Sequence, residues 1–185
     1  MARSDRLRRV VLLCTSFARN LAYYRAGRSQ SALPLLDAAH PQASFWRVIN
    51  GNFLDMCVLE WCKLFAEPRK GEHFWRRIVT DSAAFETQLH AQLGMTAAEF
   101  DALIEAMRRY RDKFVAHLDS DHVMHIPTFS AAQASVWLYH QQVVLHEATA
   151  GELAGLADTP DKLRLGYTQS IEEAEQAYRA VSLPR

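Results

Sequence analysis

The sequence predicts an all-α fold, a compact helical bundle of about five to six helices forming one domain over residues 1–185. Three observations lead there. Apolar residues recur at three- and four-residue spacing through most of the chain, the period of a helix with one buried face. The two-residue alternation of strands is essentially absent. Glycine (7) and proline (6) are scarce and read as punctuation between periodic segments.

The periodicity places helices over 4–26, 43–66, 81–93, 96–118, 131–150 and 160–182, with a short helical turn over 72–79. Thr96 with Glu99 and Ser130 with Gln133 fit capping boxes, and Thr159 before Pro160 fits a cap followed by a first-turn proline. The segments 27–42, with Pro34 and Pro41, and 119–129, with Pro127, read as the longest loops. At 185 residues a hydrophobic core suffices without metal or disulfide staples.

Composition narrows the function classes. The 21 basic side chains cancel the 21 acidic ones, so attraction to a polyanion has to come from a local patch. Cys14, Cys57 and Cys62 lie inside apolar helical patterns without CxxC or zinc spacing, which reads as reduced packing residues in a cytoplasmic protein. Arg3, Arg6, Arg8 and Arg9 precede an apolar run too short for a secretion signal. No stretch approaches the about 20 apolar residues of a membrane span. Walker loops, dinucleotide-binding glycine runs and nucleophile elbows are missing, and no cofactor is expected.

Polar groups on apolar helix faces supply the chemistry. In the helix over 43–66, Trp46, Phe53, Cys57 and Leu64 stack along one line, and Asn50 and Glu60 fall within about 40° of it, so an amide and a carboxylate point inward. A buried charge needs a partner. In the helix over 96–118, Phe100, Leu103, Ile104, Met107, Tyr110, Phe114 and Leu118 form a stripe, with Arg111 and His117 at opposite borders about 120° apart. Two readings stand side by side. In one, Glu60 and Arg111 form a structural ion pair and His117 caps the helix end. In the other, Arg111 clamps a phosphodiester while His117 moves protons during attack by an RNA 2′-hydroxyl, a route that requires no metal. Asp112 then orients either group, and Arg108, Arg109 and Lys113 add a basic patch for the RNA backbone. A two-fold homodimer apposing two such helices supplies both an acid and a base.

The run Tyr110-Arg111-Asp112-Lys113-Phe114-Val115-Ala116-His117-Leu118-Asp119 resembles the signature of the HEPN superfamily, an arginine followed after four to six positions by a histidine near a helix end. The stretch from Asn52 to Phe65, with His73-Phe74-Trp75 after it, resembles the AbiU-type abortive-infection branch. The resemblance implies a helical bundle, usually dimeric, and in many members a metal-independent endoribonuclease acting as a toxin or antiphage effector. By it, Arg111, Asp112 and His117 match the motif. Toxin members that pair with a nucleotidyltransferase antitoxin often carry a tyrosine two positions after the histidine. Asp119 stands there instead, so that mode of control is not implied, although an antitoxin protein of another kind is compatible with the motif. Other members of the superfamily are non-catalytic binding modules for RNA or protein.

Two further clusters compete. His117, Asp119, Asp121, His122 and His125 are of metal-binding types, but their spacing matches no familiar site. Trp46, Trp61, Trp75 and Trp137 sit at helical spacing beside other apolar groups and read as core rather than as base-stacking platforms. His140 and His146, six apart, read as surface or interface residues.

Overall fold

In the computed structural model, which describes residues 2–68, 71–116, 126 and 128–182, the chain folds into helices and, among the described residues, no strand. The first helix, α1 (Arg3–Ala26), buries Leu7, Val10, Val11, Cys14, Phe17, Ala18, Leu21 and Ala22, one face at 3.6-residue spacing. It ends at Gly27, whose N–H bonds the Tyr23 carbonyl. The residue there has to be glycine because the Asn50 side chain lies across it, where a Cβ would come 2.8 Å from Cγ of Asn50.

The segment read as a loop over 27–42 contains a one-turn helix, α2 (Leu33–Leu36), with Pro34 in its first turn, where a missing N–H costs nothing. Next comes α3 (Ala43–Phe65), whose two halves differ. From Leu54 onward most of its residues are buried, whereas Phe45 and Val48 near its start are each 58% exposed. A short α4 (Trp75–Ile78) leads into α5 (Ser82–Leu93). There the Asp81 carboxylate accepts the Ala84 N–H, and Gly94 closes the helix in the left-handed region at φ 61°. The Thr96–Glu99 capping box forms as the sequence indicates and starts α6 (Ala97–Tyr110).

The backbone then widens from α-helix into a π-helical segment, Arg111–Ala116. A second such widening, Val143–Glu147, follows α7 (Phe129–Gln142). This corrects two expectations. The helix read over 131–150 begins earlier, at Phe129 after an extended Thr128, so Ser130 lies inside it and no Ser130–Gln133 capping box forms. Gln133 instead accepts a bond from Arg25. The last helix, α8 (Pro160–Ser182), starts as expected, with the Thr159 hydroxyl accepting the Lys162 N–H.

Not every glycine punctuates. Gly51 and Gly166 lie within α3 and α8, and a Cβ at either would have open space within 4 Å.

α1 is the hub, packed along α3, α7 and α8, and α3 in turn rests on α6 and α7. The aromatic centre joins three elements, α3, α6 and α7. Trp61 stacks on Phe65 at 5.1 Å, and Phe65 meets Phe100 at 6.1 Å and Tyr139 at 5.7 Å edge-on. Trp61 Nε1 donates to the Ser135 hydroxyl, so the buried indole is satisfied. Trp61 and Trp75 are core, while Trp46 and Trp137 are half-buried. His140, expected at the surface or an interface, is fully buried within the chain on the same α7 face as Val136 and Val143, its Nε2 bonded to the Ala157 carbonyl at 2.7 Å. All three cysteines are free and buried. Among the described residues, no helix is long and apolar enough to cross a membrane.

Candidate active site

Arg111 sits at the junction of α6 and the first π-helical segment. The buried stripe Phe100, Leu103, Met107 and Tyr110 fixes α6 against α3, and Tyr110 adds a hydroxyl bond to Asp55 at 2.8 Å. With α6 so placed, Arg108 and Arg111 both reach the C-terminus of α3. Arg108 donates from Nε and Nη2 to the Ala66 carbonyl and from Nη1 to Glu105. Arg111 donates from Nη1 to Glu67 at 3.2 Å and from Nε to Asp112 at 2.8 Å. A third arginine, Arg77, donates to the Pro68 carbonyl. Three guanidinium groups therefore gather where the helix dipole leaves unsatisfied carbonyls and partial negative charge.

The Arg111 side chain is 22% exposed, within reach of solvent, and its guanidinium is held by two carboxylates. The bond to Asp112 and its negative charge, with that of Glu67, stabilise the cation against partial burial and raise its pKa. Arg109 is exposed, Lys113 half-buried and Asp112 exposed. Basic side chains thus line the outer side of this segment, although Arg108 is already spent on the α3 terminus. His117, the imidazole of the motif, lies outside the described residues, as do Asp119, Asp121, His122 and His125. Among the described residues no group of three or more His, Cys, Asp or Glu is placed to hold a metal ion. The 120° separation between Arg111 and His117 was read on an ideal α-helix, and it involves a residue outside the described ones; the segment that carries Arg111 is itself π-helical.

The second correction concerns Glu60. It is buried as the periodicity indicates, 3% exposed, but its partners are on α1 rather than α6: the Ser16 hydroxyl bonds Oε1 and the Asn20 amide donates to Oε2 at 3.1 Å. Arg111 takes Glu67 in its place. Burial raises the Glu60 pKa, against the lowering by Ser16 and Asn20. Glu60 also contributes to a groove of about 580 Å³ between α1 and α3 that reaches Arg9, Lys63 and His73, whose imidazole is held below its ordinary pKa by burial. Asn50 is buried too, packed over Gly27, its Oδ1 without a hydrogen-bond partner among the described residues.

Glu67 escaped the sequence reading, although a signal was present. A glutamate just past a helix C-terminus opposes the dipole and calls for a cation beside it.

With this geometry in hand, the family model HEPN_AbiU2, described as AbiU2, matches residues 5–125. The chain belongs to the HEPN AbiU2 family. The match runs from α1 through the π-helical segment that carries Arg111, and it takes in the position of His117. The HEPN AbiU2 domain therefore draws its hub, α1, and its arginine-bearing helix from the matched part, whereas α7 and α8 lie beyond it. No curated protein and no solved structure matches the chain.

Proposed function

We propose that this HEPN AbiU2 chain is a metal-independent endoribonuclease of toxin–antitoxin, stress or phage defence, with Arg111 as phosphate clamp, His117 as proton-transfer group and Asp112 as the carboxylate that orients Arg111. The observation that carries the reading is the Arg111 guanidinium, partly exposed at a helix end and held in a fixed plane by Asp112 and Glu67. A planar fork so oriented suits two non-bridging phosphate oxygens, and it lies in the matched family region. Attack by the 2′-hydroxyl on the adjacent phosphorus breaks the P–O5′ bond. The base takes the 2′ proton, an acid gives one to the 5′ oxygen, and a 2′,3′-cyclic phosphate remains.

One His117 per chain supplies one proton-transfer group, so the active form is a homodimer in which a second copy completes the pair. Phe45, Val48 and Met56, all exposed, lie within about 80° on α3 and offer apolar surface that a second copy can cover. Arg109 and Lys113 add attraction for the RNA backbone. Glu60 and Asn50 support the site from a distance, Glu60 by holding α3 to α1 and Asn50 by packing over the end of α1. The setting is cytoplasmic, and an antitoxin protein is the fitting partner.

A second reading, a non-catalytic RNA- or protein-binding module, draws on the intramolecular bonds that engage both Arg108 and Arg111. Incubating the purified protein with mixed RNA in chelator separates the two. Fragments ending in 2′,3′-cyclic phosphate, lost in Arg111→Ala and His117→Ala proteins that still melt like wild type, support the ribonuclease. Intact RNA under all conditions supports the module.

A further inference from the structure

A groove of about 640 Å³ runs along α6 from Ala97 and ends at Arg108. Its lining is of two kinds. Phe74, Trp75, Phe100 and Ile104 give an apolar wall. Over this wall lies Arg76, its guanidinium carbon 4.7 Å from the Trp75 ring centroid. It is paired with Glu86 and its side chain is 51% exposed, so one flat face of the guanidinium remains open. On the far side His90 stands edge-on to Phe100 at 5.8 Å, with its Nδ1 buried and lacking a hydrogen-bond partner among the described residues.

The charges are already matched in pairs. Arg76 is held by Glu86 and Arg108 by Glu105, which leaves the Asp101 carboxylate as the surplus among the described residues. Such a lining repels a phosphate chain. It accepts a planar, uncharged ring that stacks on a guanidinium or aromatic face and offers N–H donors to carboxylates, which is how unpaired RNA bases are read.

Position supplies the other half of the argument. Arg108 binds the carbonyl of Ala66 and Arg111 binds Glu67, adjacent residues at the end of α3. The two arginines are three residues apart on one helix, a rise of about 4.5 Å. A base attached to a phosphate at Arg111 is therefore within reach of the groove.

We propose that this groove is a base-recognition subsite for single-stranded RNA, taking the unpaired base next to the phosphate held at Arg111. The proposal rests on the ribonuclease reading, and it adds to that reading a substrate class, unpaired RNA, and a location for sequence preference. The base stacks on the open face of Arg76. Its amino edge donates to Asp101 or Glu105, and a ring acceptor meets an N–H of Arg76. The acidic rim keeps the backbone outside, on the side of Arg109 and Lys113.

The test uses a pool of 12-nucleotide single-stranded RNAs of random sequence. Sequencing the fragment ends gives the base preference at each position around the cut, and fluorescence anisotropy with the Arg111→Ala protein gives affinity without cleavage. Arg76→Ala removes the platform, and Ile104→Trp fills the groove while keeping every arginine. Each is made both in the wild-type and in the Arg111→Ala background. The expected result is a preference at one flanking position in wild type that flattens in both variants, with affinity reduced about tenfold, in the range of one stacked base. Arg179→Ala, which removes an exposed cation on α8, should move neither readout. An unchanged preference in variants that melt like wild type overturns the subsite, as does a wild type with no preference or an equal effect from Arg179→Ala. If wild type binds the pool without cutting it and Ile104→Trp abolishes binding, the subsite stands and the ribonuclease falls. If it neither cuts nor binds, both fall.

Discussion

Two helices in this chain end in the same backbone device and use it differently. α6 widens into Arg111–Ala116 and α7 into Val143–Glu147. The second closes inward. Its Glu147 carboxylate, with a side chain 2% exposed, accepts Arg3 at 2.6 Å, the Thr80 N–H at 2.9 Å and hydroxyl at 2.7 Å, and the Gln142 amide at 3.0 Å. One side chain thereby joins the start of α1, the turn before α5 and the end of α7. The first opens toward water where it begins, with Arg111 partly exposed between two carboxylates that are themselves open to water. A fully satisfied, buried ion is a structural staple, whereas a half-satisfied ion at a surface is available to a ligand. The contrast separates the two segments where sequence periodicity treats them alike.

The sharpest way to break the comparison is Arg111→Ala. If the outward segment is catalytic, cleavage of RNA falls by about 10²–10³, the loss of one transition-state donor, while the melting temperature barely moves, because an exposed pair contributes about 0–1 kcal/mol. A large drop in melting temperature without any cleavage in wild type would make Arg111 a staple like Glu147. Replacing Glu147 itself with Ala should cost about 3–5 kcal/mol in a denaturation curve, since Arg3 and Thr80 lose a buried partner. Burial alone would raise the pKa of Glu147, but the bonds from Thr80, Gln142 and Arg3 outweigh it and hold it below 4.5. Its contribution is then present above that pH and lost as pH falls through the lower folded value.

His140 gives a separate acid sensitivity within α7. Burial lowers its pKa from 6.5 to about 4, against the raising effect of the Ala157 carbonyl. The unfolded chain takes up the proton first, so stability is complete above pH 6.5 and about 3 kcal/mol of it is lost between there and pH 4. Denaturation midpoints measured across this range should show that slope in wild type and a flatter one in His140→Leu.

Glu60 tests the interior side of α3. Glu60→Ala leaves Ser16 and Asn20 facing a void and should cost about 1–3 kcal/mol, whereas Glu60→Gln keeps a polar contact and should cost less. Because burial raises its pKa, Glu60 favours folding most below pH 4.5 and loses that contribution as pH rises through the folded value. Urea titrations of the two variants at pH 7 should place Gln between Ala and wild type. The smallest effect belongs to Gly51→Ala and Gly166→Ala. With open space for a Cβ, each should gain about 0.5–1 kcal/mol from helix propensity.

Helix positions were legible because burial imposes a period: α1, α3 and α8, and α6 taken with its π-helical continuation to Ala116, begin and end within a few residues of the sequence reading. Thr96 with Glu99 was legible because both halves of that cap are side chains at fixed spacing. Ser130 with Gln133 has the same spacing, but the backbone is already helical at Phe129, and a residue inside a helix cannot cap it. For Glu60, periodicity gave the direction of the side chain toward the interior but not which neighbouring helix it would meet, since that depends on how three helices pack. His140 was misplaced because it was read against His146, six residues on, and not against Val136, four residues before it on the buried face. Neither widening was legible. A π-helical turn follows from how the backbone accommodates packing on both sides, which no local residue pattern in this chain announces.

The three thiols have a practical consequence. Cys14 and Cys57 lie fully in the core where α1 meets α3, and Cys62 lies one turn along α3, beside the arginines. Burial pushes all three above the usual thiol range, Cys62 to about 12, so in the native state they are scarcely nucleophilic. A thiol-reactive dye therefore modifies this chain only when the helices packed on α3 lift from it or the molecule opens altogether. The labelling rate is a native clock for breathing of the hub, and it can be read before and after RNA is added without altering a single residue.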